Sequence, residues 1–138
     1  MKKYILYAED DPEDFEVLKS ALEEVNNDIT LVQVPTGYDV IKYLQDLDPS
    51  QYPSLILMDL NMPLLDGRET LKLLKIDDQY KTIPVKVFST VTSPTDKIMI
   101  EQTGSEVIKK PAMYAGWLSV ASKLAKYCCV LLMCSIMR

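Results

Sequence analysis

Short apolar runs alternate along this chain with longer segments in which apolar residues return every three or four positions. The first run, Tyr4-Ile5-Leu6-Tyr7-Ala8, is rich in strand formers and stops abruptly at Glu9-Asp10-Asp11-Pro12. From Pro12 onward Phe15, Leu18, Leu22 and Val25 recur at helical spacing, with Glu13, Asp14 and Glu16 in the first turn, where the helix dipole favours acids. The pattern predicts a buried strand and then an amphipathic helix. Asn26-Asn27-Asp28 is a turn cluster, Ile29 to Val34 a second strand, and Val40, Ile41, Leu44 and Leu47 mark a helix after Pro35-Thr36-Gly37.

The alternation continues. After a loop at Asp48 to Pro53, Leu55-Ile56-Leu57-Met58 is a continuous apolar run, as expected of a strand covered on both faces, and Asp59 ends it. A helix starting near Asp66 or Gly67 carries Leu71 and Leu74, and Val85 to Phe88 gives a fourth strand. Ser93-Pro94-Thr95-Asp96 supplies a cap, a first-turn proline and an acid for the next helix, which Gly104 closes. Val107-Ile108 is the fifth strand, Lys110-Pro111 a break, and a long helix from Ala112 bears Trp117, Leu118, Ala121, Leu124 and Ala125. Five strands alternating with five helices imply a doubly wound α/β domain with a parallel sheet and helices on both faces, because parallel neighbours need crossover connections. In such sheets ligands sit beyond the carboxyl ends of the strands.

Composition narrows the classes. With 138 residues, 48% hydrophobic and 25% charged, the chain suits one soluble domain, and its net charge of -5 argues against direct nucleic-acid binding. The 3 cysteines, Cys128, Cys129 and Cys134, lack zinc-site spacing and read as packing residues, which with no leader-like start fits a cytoplasmic protein. The apolar stretch from Cys128 to Met137 follows Lys123 and Lys126 and is too short to span a bilayer. Residues 1–127 are therefore expected to form the domain and 128–138 an apolar helical extension.

The candidate chemistry lies where strands end. Glu9, Asp10 and Asp59 close two different buried strands, and acids converging on one site repel unless a cation neutralises them. Hard oxygen ligands with spare water positions suit magnesium. Lys110 follows the fifth strand, within reach of an anionic group on the third, and Ser89 and Thr90 end the fourth with hydroxyl donors. A carboxylate nucleophile, a metal, a lysine and a hydroxyl together describe phosphoryl transfer.

Glu9-Asp10, then Asp59-Leu60-Asn61-Met62-Pro63-Leu64-Leu65-Asp66-Gly67, then Ser89, then Lys110-Pro111, in this order and spacing, resemble the receiver domain of bacterial two-component response regulators. The resemblance runs from Lys3 to about Tyr127 and implies a flavodoxin-like sheet of order 2-1-3-4-5. It makes Asp59 the phospho-acceptor, loaded by a sensor histidine kinase or a histidine phosphotransfer protein. Glu9, through a water, and Asp10 and Asp59 would bind magnesium, with the backbone carbonyl of Asn61 as a further ligand. Lys110 would pair with the phosphoryl group and not with the metal, and Ser89 would move to bond it. The Lys110–Pro111 bond is often cis in this family. Val107 occupies the switch position where many relatives carry a rotating tyrosine or phenylalanine.

The resemblance further implies a stand-alone, phosphorelay-type module that signals through an unknown downstream protein, not an enzyme acting on outside substrates. The apolar tail suggests a homodimer through the fourth helix, fifth strand and last helix. The alternative reading is a magnesium-dependent phosphatase or nuclease, since clustered acids also suit metal-assisted hydrolysis. A flavin binder would need a phosphate-friendly loop where Glu9-Asp10-Asp11 stands.

Overall fold

Five parallel strands in the order β2-β1-β3-β4-β5 form one sheet. The computed structural model describes residues 3–60, 67–90 and 92–137, with side chains as far as Cys129. In chain order the elements are β1 (Tyr4–Ala8), α1 (Pro12–Val25), β2 (Thr30–Val34), α2 (Gly37–Gln45), β3 (Leu55–Met58), α3 (Gly67–Ile76), β4 (Val85–Ser89), α4 (Pro94–Gln102), β5 (Glu106–Lys109) and α5 (Tyr114–Met137). A single 3-10 turn, Pro49–Gln51, sits in the loop before β3. The expected doubly wound architecture and strand order are what the structure has.

The two-residue period of the strands divides the core into two layers. Ile5, Tyr7, Leu57 and Phe88 face α1 and α5 and pack with Leu18, Leu22, Trp117 and Leu124. Leu6, Ala8, Ile56, Met58 and Val87 face the other way and pack with Val40, Leu44, Leu71, Leu74 and Ile100 of α2, α3 and α4. All four residues of β3 are fully buried, which explains why that strand reads as an unbroken apolar run.

Helix starts follow local chemistry. The Asp11 carboxylate accepts from the Glu13 amide at 2.9 Å and caps α1, so the third acid of Glu9-Asp10-Asp11 is a capping residue. Thr36 and Ser93 cap α2 and α4 in the same way. Gly104, at φ 80°, follows α4 in the left-handed conformation that glycine adopts without strain. The last helix begins at Tyr114, two residues later than the pattern suggested, because the Met113 carbonyl is the first to accept from the helix, from the amides of Gly116 and Trp117. The peptide bonds of the described residues are trans, including Lys110–Pro111, for which a cis bond was the family expectation.

The α5 helix runs through Cys128 without a break. Its 24 residues span about 36 Å, whereas a five-residue strand spans about 17 Å, so the helix is longer than the sheet it covers. Cys128 itself is buried against α1 and β1 residues, and burial pushes its thiol pKa up to about 11. It is therefore a packing residue, as read from its context. Among the described residues no helix is long and apolar enough to cross a membrane.

Gly67 places α3 against the end of β3. A Cβ there would lie 2.2 Å from the Asp59 carbonyl oxygen and 2.8 Å from the Leu60 Cα. Both obstacles are backbone, which cannot swing aside as a flexible side chain would. Gly67→Ala is expected to destabilise the fold by about 1–3 kcal/mol through overpacking, measured by urea unfolding; an unchanged midpoint would show that the α3 start is free to shift.

Candidate functional site

The carboxyl ends of β1, β3, β4 and β5 converge on one side of the sheet, and the sequence-predicted residues follow those strands directly. The Glu9 amide donates to the Val34 carbonyl at 3.0 Å and the Asp59 amide to the Ala8 carbonyl at 3.1 Å, which extend the ladders on either side of β1 by one residue. The Lys110 amide donates to the Ser89 carbonyl at 3.0 Å and ties the end of β5 to the end of β4. Strand pairing thus fixes the backbones from which Glu9, Asp59, Ser89 and Lys110 project. Glu9, Asp59, Ser89 and Lys110 are buried, while Asp10 is exposed.

Carboxylate oxygens of Glu9, Asp10 and Asp59 lie within 4.8 Å of one another. Three hard oxygen donors at that separation, two buried and one facing solvent, fit a divalent cation that keeps part of its water shell. Asn61 lies outside the described residues, as do the other members of the segment 61–66.

The Lys110 ammonium enters this cluster. It donates to Glu9 Oε1, to Asp14 Oδ2 at 2.8 Å and to Asp59 Oδ2 at 3.2 Å. Lys110, expected to pair with the phosphoryl group and not with the metal, is here bonded to two of the candidate metal ligands. Burial works to lower its pKa, yet the hydrogen bonds to Asp14 and Glu9 and the charge of Asp59 outweigh it and hold the ammonium charged. Glu9 is governed mainly by burial, which with repulsion from Asp59 pushes its pKa up to about 7 against the opposing pull of Lys110.

Two residues in this network carry no sequence expectation. The Tyr7 hydroxyl donates to Glu9 Oε1 at 3.0 Å, and burial beside that carboxylate raises the phenol pKa. Tyr7 and Glu9 are two apart, hence on the same side of the strand, a signal available in the sequence. Asp14 reads as a first-turn acid serving the helix dipole, yet its carboxylate reaches Lys110. Farther along the rim, Arg68 of α3 forms a two-pronged ion pair with Asp96 of α4, both contacts at 2.7 Å, and this bond depresses the Asp96 pKa. It links the helices that follow β3 and β4. Val107 is half-buried and packs with the layer under α2, α3 and α4.

The family model for the response regulator receiver domain matches residues 5–115. Among named proteins, the chain is 35% identical over 99 residues to the response regulator Rcp1 of Synechocystis, covering 70% of this chain and 67% of that protein. It is 29% identical over 112 residues to the polar-differentiation response regulator DivK of Brucella ovis, covering 80% of this chain and 86% of that one. Among solved structures, the phosphorylated cyanobacterial phytochrome response regulator RcpA superposes with a TM-score of 0.82 at 29% identity, covering 92% of this chain and 94% of that one. The manganese-bound form of Rcp1 gives 0.77 at 28% identity, covering 88% and 91%.

The elevated Glu9 pKa has a sign that can be measured. Folding favours the protonated side chain, so its contribution to stability is present below the ordinary glutamate range and is lost as pH rises towards about 7. In chelator, the melting temperature of the wild-type protein is expected to fall relative to that of Glu9→Gln between pH 5 and pH 7.5. Parallel pH profiles for the two proteins would show that Glu9 titrates normally.

Proposed function

The chain belongs to the response regulator receiver family of two-component signalling, and on that premise we propose that Asp59 accepts a phosphoryl group from a phosphohistidine on a sensor kinase or phosphotransfer protein. The 138 residues contain no histidine, so the donor imidazole lies outside them. In the reaction a carboxylate oxygen of Asp59 attacks phosphorus, the oxygen–phosphorus bond forms, and the phosphorus–nitrogen bond breaks with its electron pair going to the imidazole, which already carries a proton on its other ring nitrogen and so departs neutral. Magnesium, held by Asp10, Asp59 and the Asn61 backbone carbonyl and by Glu9 through a water, would supply positive charge against the phosphoryl oxygens. Lys110 turns its ammonium from the carboxylates to the transferred group, and the Ser89 hydroxyl donates to it. The observation that carries this reading is that Asp59, buried at the end of β3, shares one lysine with Glu9 inside the three-carboxylate cluster.

The readout is a change in protein contacts in the cytoplasm. With Val107 in place of an aromatic rotor, movement of the loop after Ser89 and of α4 has to carry the signal to the surface. Ile98 of α4 is 58% exposed, and residues 130–137 of α5 are nearly all apolar. The exposed Ile98 and the apolar sequence of that stretch support a homodimer through α4, β5 and α5, with an unknown downstream protein as the further partner. Hydrolysis of an outside substrate by the same acids, the alternative raised by the cluster alone, is not favoured by the relatives described above.

Incubation with magnesium and a small phosphodonor is expected to add one base-labile phosphate, at Asp59, and Asp59→Asn is expected to abolish it. Undiminished labelling of the variant, or phosphate on a serine, would refute the acceptor assignment. Magnesium at a hundred times its dissociation constant is expected to raise stability by roughly 2.7 kcal/mol, and Asp10→Ala to remove most of that gain in a thermal melt. Because Cys128 packs in the core, the dimer is best tested by sedimentation of the full chain beside one stopped after Cys129. Loss of self-association in the shorter chain is the expected result, and a monomeric full chain with or without beryllofluoride would exclude the dimer.

A further inference from the structure

We propose that Asp14 is a dock for the Lys110 ammonium, one that holds the lysine back from the group on Asp59 and so sets how tightly the site keeps a phosphoryl group; the proposal rests on Asp59 being the acceptor. An ammonium has three N–H donors and no acceptor. Those of Lys110 meet Glu9, Asp14 at 2.8 Å and Asp59 at 3.2 Å, so its donors are engaged by carboxylates.

The three partners are not equivalent. Glu9 and Asp59 belong to the cluster that fits a cation, and Asp14 does not. Once a cation draws on Glu9 and Asp59, Asp14 is the carboxylate that still competes for Lys110. It is also held in place. Asp14 sits in the first turn of α1, behind the Asp11 cap, on a helix anchored by Leu18, Ala21 and Leu22 in the core. The Asp14 side chain is 29% exposed and that of Lys110 7%, so the bond is only partly screened by water. A phosphoryl group on Asp59 adds negative charge beside the same ammonium, which must then divide itself between that group and Asp14. The dock is therefore a positioning residue that acts through Lys110.

The test compares Asp14→Asn with Asp11→Asn. Asp11 is an exposed acid near the same site whose side chain accepts from the Glu13 amide at the α1 start, and asparagine caps a helix about as well as aspartate. Each is placed in the wild-type and in the Lys110→Met chain. Binding is read from the fluorescence of Trp117, whose ring lies 5.4 Å from that of Phe88, itself 5.9 Å from the Lys110 ammonium. With magnesium saturating, Asp14→Asn is expected to tighten beryllofluoride binding about fivefold beyond the effect of Asp11→Asn, and Asp14→Glu to return most of that excess. Equal effects of the two asparagine variants, or weaker binding in Asp14→Asn, would overturn the dock.

Magnesium alone gives an arm that needs no acceptor. Without its dock Lys110 leans wholly on Glu9 and Asp59, so Asp14→Asn is expected to weaken magnesium binding more than Asp11→Asn does. That difference should vanish in the Lys110→Met chain; its absence in the wild-type chain, or its persistence without the lysine, would overturn the proposal. A wild-type chain that ignores beryllofluoride while showing the magnesium pattern would refute Asp59 as acceptor and leave Lys110 docked on Asp14.

Discussion

The ammonium of Lys110, bonded at once to Glu9, Asp14 and Asp59, is the contact that makes the crowded end of this sheet tolerable. Carboxylates removed from water at short range destabilise a fold unless a cation or a donor answers them. Glu9 has its answer from Lys110 and from the Tyr7 hydroxyl. The arrangement is built from distant pieces, since β1 brings Glu9, β3 brings Asp59, and β5 brings Lys110 from 51 residues beyond Asp59. The sheet order β2-β1-β3-β4-β5 sets the ends of β1 and β3 side by side, with β5 beyond the intervening β4.

That balance also makes the site responsive. A cation entering among Glu9, Asp10 and Asp59 claims oxygens that the ammonium already holds, and the lysine it displaces is charged, buried and in need of another anion. A phosphoryl group on Asp59 is such an anion. On the proposed function, neutralisation by the chain's own lysine in one state and by the incoming groups in the other would make a two-state device from ordinary ion pairing. The bond between Arg68 and Asp96 lies across the starts of α3 and α4, where a change at the ends of β3 and β4 would first be felt.

Most of the fold was legible because each local signal agreed with the next. Leu55 to Met58 had to be covered on both faces, Ser93 had to cap a helix, and Gly104 had to end one. Where the reading slipped, tertiary context decided. β5 reads as two residues, Val107-Ile108, because its outer positions Glu106 and Lys109 are exposed at the sheet edge, yet four residues pair with β4. The bonds from Lys110 to Glu9 and Asp14 were not foreseen, because spacing places a residue at a strand end but does not say which neighbours its flexible stem will reach. Asp14 was hidden for the same reason, since a first-turn acid already has a sufficient local explanation in the helix dipole. Gly67 was visible as a helix start, while its necessity, the backbone of Asp59 and Leu60 pressed against it, belongs to packing alone.

The claim on which the rest turns is that ammonium and metal compete for the same oxygens. The most direct measurement is the magnesium dissociation constant of Lys110→Met beside that of the wild-type chain, by calorimetric titration at pH 7.5 and fixed ionic strength. The account predicts tighter binding in the variant, because Glu9 and Asp59 are released to the cation. Unchanged or weaker binding would contradict it.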